Sequence, residues 1–112
     1  MRVAAAVNAD PTQCAVVNTN EIPWEPTEHR GVSRKVLEFV NDPRKGRETS
    51  LLKFEPGARM VAETLTDRLD ILVLEGTYSD GHGDYGPHTF IRNPPGLHHA
   101  PASKQGCVIY AK

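Results

Sequence analysis

The stretch NPPGLHHAPAS, residues 93–103, sets His98 and His99 side by side behind a proline–glycine turn. A neutral imidazole can bind a transition metal, a titrating one can carry a proton near neutral pH, and either can simply sit on a surface. Neighbouring side chains on a strand point to opposite faces, so the two rings cannot share one pocket on regular extended backbone. Three more histidines, His29, His82 and His88, lie among turn residues or at the start of a strand-like run. Cys14 and Cys107 are far apart and form no CxxC pair. The chemistry therefore depends on which elements bring other donors to the histidine pair.

The chain has 112 residues, which fits one domain able to bury a core without disulfide or metal staples. Its formal net charge is −1, from 13 basic and 14 acidic residues. That balance argues against a nucleic-acid footprint, which needs a clustered excess of Lys and Arg. The short basic run DPRKGRE, 42–48, reads as a solvated turn. No stretch approaches the roughly 18 apolar residues of a membrane span. The N-terminal MRVAAAVNADP is too short and weak in apolar character for a signal peptide. A cytoplasmic protein is expected, and in that compartment both cysteines are expected as buried thiols.

Nine glycines and nine prolines divide the chain into short pieces. Between them, β-branched and aromatic residues recur in strand-length runs. Strands are predicted near 14–18, 32–40, 48–54, 59–65, 69–79, 88–92 and 106–111, separated by turns such as EPGA, SDGHGDYGP and NPPG. VSRKVLEFV also fits a helical spacing, but its β-branched content between Gly31 and the NDP turn favours a strand. This pattern predicts an all-β sandwich or barrel. Residues 1–20 are expected to form an N-terminal arm, with Trp24 of IPWEP anchoring it to a domain at 21–112. The run ILVL, 71–74, is apolar on both faces, and a second copy covering its outer face would make a homodimer.

From Gly57 to Gly76 the spacing matches the frame of the first cupin motif, and Pro94, Gly96 and His99 match the second, Pro-x-Gly-x-x-His. TSLLKFEPGARM, LVLEGTYSDGHGDY, IRNPPGLHHAP and GCVIYAK resemble ChrR-type cupins more closely than cupins in general. IPWEP followed by GVSRKVLEF fits the opening segment of that family, so the resemblance covers residues 20–112. Such domains form the C-terminal halves of some zinc-binding anti-sigma factors, and relatives include the acetylacetone-cleaving dioxygenase. The resemblance implies a double-stranded β-helix, the cupin jelly-roll barrel. In metal-binding members, three histidines and one glutamate hold a divalent ion inside it.

Here the resemblance places Glu63, Leu65 and Leu69 at the first three ligand positions, and His99 alone keeps the family's residue. Leucine has no donor atom. Glu63 and His99 form an incomplete metal site, short of the three protein ligands of a typical catalytic zinc. Asp70 follows Leu69 but points to the other face of a regular strand. Leu65, Leu69 and Ile71 are expected to line a more apolar pocket, with Glu63 and His99 facing one another across it as a hydrogen-bonded pair. No cofactor is the leading expectation, with Zn, Fe, Mn or Ni at low occupancy as the alternative.

The function expected is a non-catalytic sensing or binding module, taking a small molecule in the barrel or a protein partner in transcription regulation. No helical Cys/His-rich segment able to grip a sigma factor is present, so only the cupin part of such a regulator is expected. A metal-dependent dioxygenase-like enzyme with a reduced ligand set is the alternative. A third possibility uses Glu63 and His99 as acid and base. A free-standing domain and one half of a tandem cupin both stay open.

Overall fold

Period-two alternation, with turns set by glycine and proline, decides the architecture. The computed structural model describes residues 6–42 and 46–112; the centre of the basic turn 42–48 and the start of the arm, 1–5, lie outside the described residues. Among the described residues ten strands follow in chain order: β1 Glu25–Pro26, β2 Val32–Val40, β3 Arg47–Phe54, β4 Glu63–Thr64, β5 Leu69–Gly76, β6 Tyr78–Ser79, β7 Asp84–Tyr85, β8 Phe90–Asn93, β9 His98–His99 and β10 Cys107–Ala111. The main sheet runs β1-β2-β3-β10-β5-β8, with β4-β9 and β6-β7 as separate two-stranded pieces. Every pairing is antiparallel.

VSRKVLEFV is a strand, not a helix, over the full span 32–40. Its Val32 and Val36 turn inward opposite Phe54 and Ser50. The core gathers Val32, Phe54, Ala58, Ile71, Val73, Tyr78, Cys107 and Ile109. Each large side chain removed from water in this way contributes about 1.5–3 kcal/mol. The rings of Phe54 and Tyr78 meet edge to face at 6.0 Å and 74°, a favoured aromatic geometry.

Two glycines are dictated by backbone. Gly76 has φ +73°, and a Cβ there would sit 2.0 Å from the carbonyl oxygen of Gly106, where β5 passes β10. Gly96 has φ +88° and closes the NPPG turn that launches β9; its N–H donates to the Leu65 carbonyl. Only glycine adopts this backbone without strain.

Three predictions from the sequence are corrected. Residues 14–18 form no strand, because no sheet edge receives them, and Val16 is 92 % exposed. Cys14 is exposed for the same reason, while Cys107 is buried. The predicted strand 59–65 shrinks to Glu63–Thr64 and an isolated bridge from Arg59 to Ala102. The arm does touch the sheet: Val7 bridges Phe39, and the Asn8 side-chain amide donates to the Leu37 carbonyl at 2.7 Å. Further on, Lys35 Nζ donates to the Thr19 carbonyl at 2.7 Å and lies 4.6 Å from the centre of the Trp24 ring. On the outer face of β5, Leu72 is half-buried and Leu74 exposed.

Candidate functional site

Alternation on three neighbouring strands builds one wall of an internal cavity. Glu48, Ser50, Leu52 and Phe54 come from β3, Ile109 and Ala111 from β10, and Leu69 and Ile71 from β5. Met60, Glu63, Tyr78, His99 and Pro101 close the other side. Its volume is about 200 Å³. That is room for one small organic molecule, below the usual range for drug-sized ligands of ~300–1,000 Å³.

His99 and Glu63 are brought together, but as neighbours on paired strands rather than across the barrel. They are directly opposed in the β4–β9 register. Glu63 Oε1 lies 3.8 Å from His99 Nε2, beyond hydrogen-bond range. The His99 side chain is 3 % exposed and the Glu63 side chain 63 % exposed, so the ring is sunk in the wall and the carboxylate stands at the mouth. Both ring nitrogens of His99 are buried without a hydrogen-bond partner.

His98 points outward and shares a 3.2 Å contact between Nδ1 and the Thr64 hydroxyl. His82 is exposed, its Nε2 2.9 Å from the His98 carbonyl. His88 is exposed with φ +72°, and His29 sits beside Glu28. Asp70 turns away from the cavity to Arg68 at 2.7 Å and Arg92 at 3.7 Å; the Arg68 hydrogen bond holds its carboxyl below the usual range. Leu69 and Ile71 line the cavity. Leu65 lies off its wall, tied by backbone hydrogen bonds to Gly96 and Leu97 at the NPPG turn.

Sequence reasoning missed Glu48 and Ser50. The Ser50 hydroxyl donates to Glu48 Oε2 at 2.7 Å, and Arg34 Nη1 lies 3.5 Å from the same oxygen. The signal was available, since both share the inward face of β3 with Leu52 and Phe54. Burial pushes the Tyr78 hydroxyl far above its ordinary value and also raises the Cys107 thiol.

A cupin-type metal needs convergent donors, and the residues present do not supply them. Among the described residues no three His, Cys, Asp or Glu side chains gather as a metal-holding group. Leu69 occupies one of the motif positions, and the rest of the wall near His99 is largely apolar.

The family model of the ChrR cupin-like domain matches residues 12–112. The chain belongs to the ChrR cupin-like family. No curated protein matches the sequence. Among solved structures, this ChrR cupin-like domain is similar to a protein of Methylibium petroleiphilum PM1 described as a candidate acetylacetone dioxygenase. That match has a TM-score of 0.79 and 13 % identity, covering 91 % of this chain and 77 % of the other. It is also similar to a chain of the Rhodobacter sphaeroides SigE complex with the anti-sigma ChrR, at TM-score 0.68 and 20 % identity. That alignment covers 84 % of the domain but 49 % of the other chain, so the domain spans about half of it. A cupin superfamily protein of Desulfitobacterium hafniense matches nearly end to end, covering 96 % and 95 %, at TM-score 0.65 and 18 % identity. These likenesses establish the cupin fold, the all-β double-stranded β-helix. Among the described residues no helix is long and apolar enough to cross a membrane.

Proposed function

We propose that this domain is a non-catalytic cupin module that binds a small molecule in its barrel and passes that state to a protein partner. The observation that carries the reading is the environment of His99. A fully buried ring with two unpartnered nitrogens faces an apolar cavity, with one carboxylate beside it. Burying such a polar group without a partner costs about 1–3 kcal/mol, and a bound molecule that pairs with it recovers that cost. Two protein donors are too few for a tightly held catalytic metal, so recognition suits this site better than metal chemistry.

The likeness to the SigE–ChrR complex supports a partner in the transcription machinery, which would place the module in the cytoplasm. A second copy covering Leu72, Leu74 and Phe90 on the outer sheet face would make the proposed homodimer. Residues 6–20 act as an arm on the barrel at 21–112. Co-purification of a sigma factor with the chain supports the regulatory role, and recovery of none counts against it. Sedimentation as a monomer at micromolar concentration removes the homodimer.

The competing reading is a metal-dependent enzyme. It draws on the likeness to the candidate acetylacetone dioxygenase and on the Glu63–His99 pair. Elemental analysis of protein purified without chelator separates the two. Substoichiometric metal is expected. Stoichiometric Fe, Mn, Ni or Zn that disappears in His99→Ala overturns the non-catalytic reading.

A further inference from the structure

The charges around the cavity name the kind of molecule it takes, an inference that rests on the small-molecule reading above. Its polar side chains are rich in acceptors: Glu63 at the mouth, Glu48 on the opposing wall and the imidazole of His99. No Lys or Arg lines it among the described residues. Glu48 is already matched by the Ser50 hydroxyl and by Arg34. Among the described residues, the only ion pair that Glu63 makes is the long one to His99. The mouth thus presents an uncompensated carboxylate beside a ring nitrogen. In a neutral imidazole one of the two nitrogens is an acceptor whichever tautomer is present.

Each competing ligand class meets an obstacle. A free anion would face Glu63 and Glu48 with no Lys or Arg among the lining residues to receive it, Arg34 being drawn to Glu48. A purely apolar molecule would fill the space and leave both His99 nitrogens unpaired, at the cost noted above. A bare metal ion would find only Glu63 and His99 side by side, since Glu48 is held by Ser50 and Arg34 and, among the described residues, no three such donors gather. An ammonium group carries three donors, enough to reach Glu63 and the acceptor nitrogen of His99. Its organic body would then lie against Leu69, Ile71, Phe54 and Ile109, removing their exposed surface from water.

We propose that the cavity binds a small organic cation, an ammonium or amidinium on an apolar body about the size of a substituted benzene ring. The head group sits between Glu63 and His99, and the body points toward β5 and β10.

Calorimetric titration at pH 7 with benzylamine, benzyl alcohol and benzoate tests this, because the three share one ring and differ in charge. Benzylamine is expected to bind at least tenfold more tightly than benzyl alcohol, and benzoate not at all. Glu63→Gln should weaken benzylamine at least tenfold and benzyl alcohol by much less, with an unchanged urea-unfolding midpoint reporting an intact fold. Equal affinity for amine and alcohol, a preference for benzoate, or unaltered amine binding in Glu63→Gln overturns the cation proposal while the small-molecule reading stands. Failure of all three probes to bind overturns both.

Discussion

Glu63 and His99 face each other as direct partners across β4 and β9, yet Glu63 Oε1 stays 3.8 Å from His99 Nε2. The strands impose proximity without a hydrogen bond. The ring is therefore costly where it stands, and the first prediction concerns that cost. His99→Leu replaces a buried ring holding two unpaired nitrogens with an apolar side chain of similar size. It is expected to raise the free energy of unfolding in urea by about 1 kcal/mol. A loss of more than about 1 kcal/mol would mean that the ring is satisfied in solution.

The core makes a sharper contrast. Val73 is 0 % exposed and Val16 is 92 % exposed. Val73→Ala is expected to cost about 2 kcal/mol, from two buried carbons and the space they leave. Val16→Ala should stay within about 0.5 kcal/mol of the parent. Chemical denaturation of both variants checks the pair. Comparable losses would show that residues 14–18 pack in solution after all.

These two valines also mark what sequence patterns could convey here. Both sit in β-branched runs, and only tertiary pairing separates them: β10 and β8 flank β5, whereas among the described residues no strand flanks 14–18. The bounds of β2 were readable because its β-branched run is closed off by Gly31 on one side and the NDP turn on the other. Counting by two from Glu63 to Leu65 failed because the chain leaves extended pairing after Thr64 and turns toward Gly96. The same counting from Leu69 to Ile71 held because β5 is continuous there. The motif frame found Glu63 and His99, but no motif pointed to Glu48 and Ser50, which reach the cavity only through the inward face of β3.

Gly76 supplies a backbone test. Its φ is positive, and a methyl group on its Cα would come within 2.0 Å of the Gly106 oxygen, so no side chain fits. Gly76→Ala must shift β5 against β10 as well as adopt a strained conformation. The expected cost is about 3 kcal/mol or more, read as a lowered thermal midpoint or as failure to accumulate soluble protein. A variant as stable as the parent would mean that the β5–β10 crossing is wider than described.

Acid stability should report the outer polar cluster. The Arg47 guanidinium donates to Glu38 Oε2 at 3.1 Å, and the Thr49 hydroxyl donates to Oε1 at 3.1 Å. The Arg47 bond, first among the causes, holds the Glu38 carboxyl below its ordinary value of 4.5. A carboxyl depressed in the folded state binds its proton more readily when unfolded. Its contribution is therefore complete above the unfolded value and fades as pH falls through 4.5 and on through the lower folded value. Glu38→Gln should be less stable than the parent by a constant amount above about pH 5.5. The difference should shrink steadily below pH 4.5. Urea unfolding across this range checks the sign, and a gap that widens on acidification contradicts it.

The arm offers the last test, because few contacts hold its described residues. Lys35 Nζ lies 4.6 Å and Lys53 Nζ 5.6 Å from the Trp24 ring centre, and Lys35 also donates to the Thr19 carbonyl. Trp24 thus organises a buried lysine that ties the preceding segment to the outer face of β2. Trp24→Ala removes the ring that both ammonium groups cover, each contact worth about 0.5–2 kcal/mol, and leaves Lys35 its hydrogen bond to the Thr19 carbonyl. Limited proteolysis is expected to cut within residues 10–20 several-fold faster than in the parent, while the β2–β10 barrel stays resistant. Faster cutting within β3, β5 or β10 would instead make Trp24 a support of the whole barrel, and equal rates at every site would remove it as the anchor.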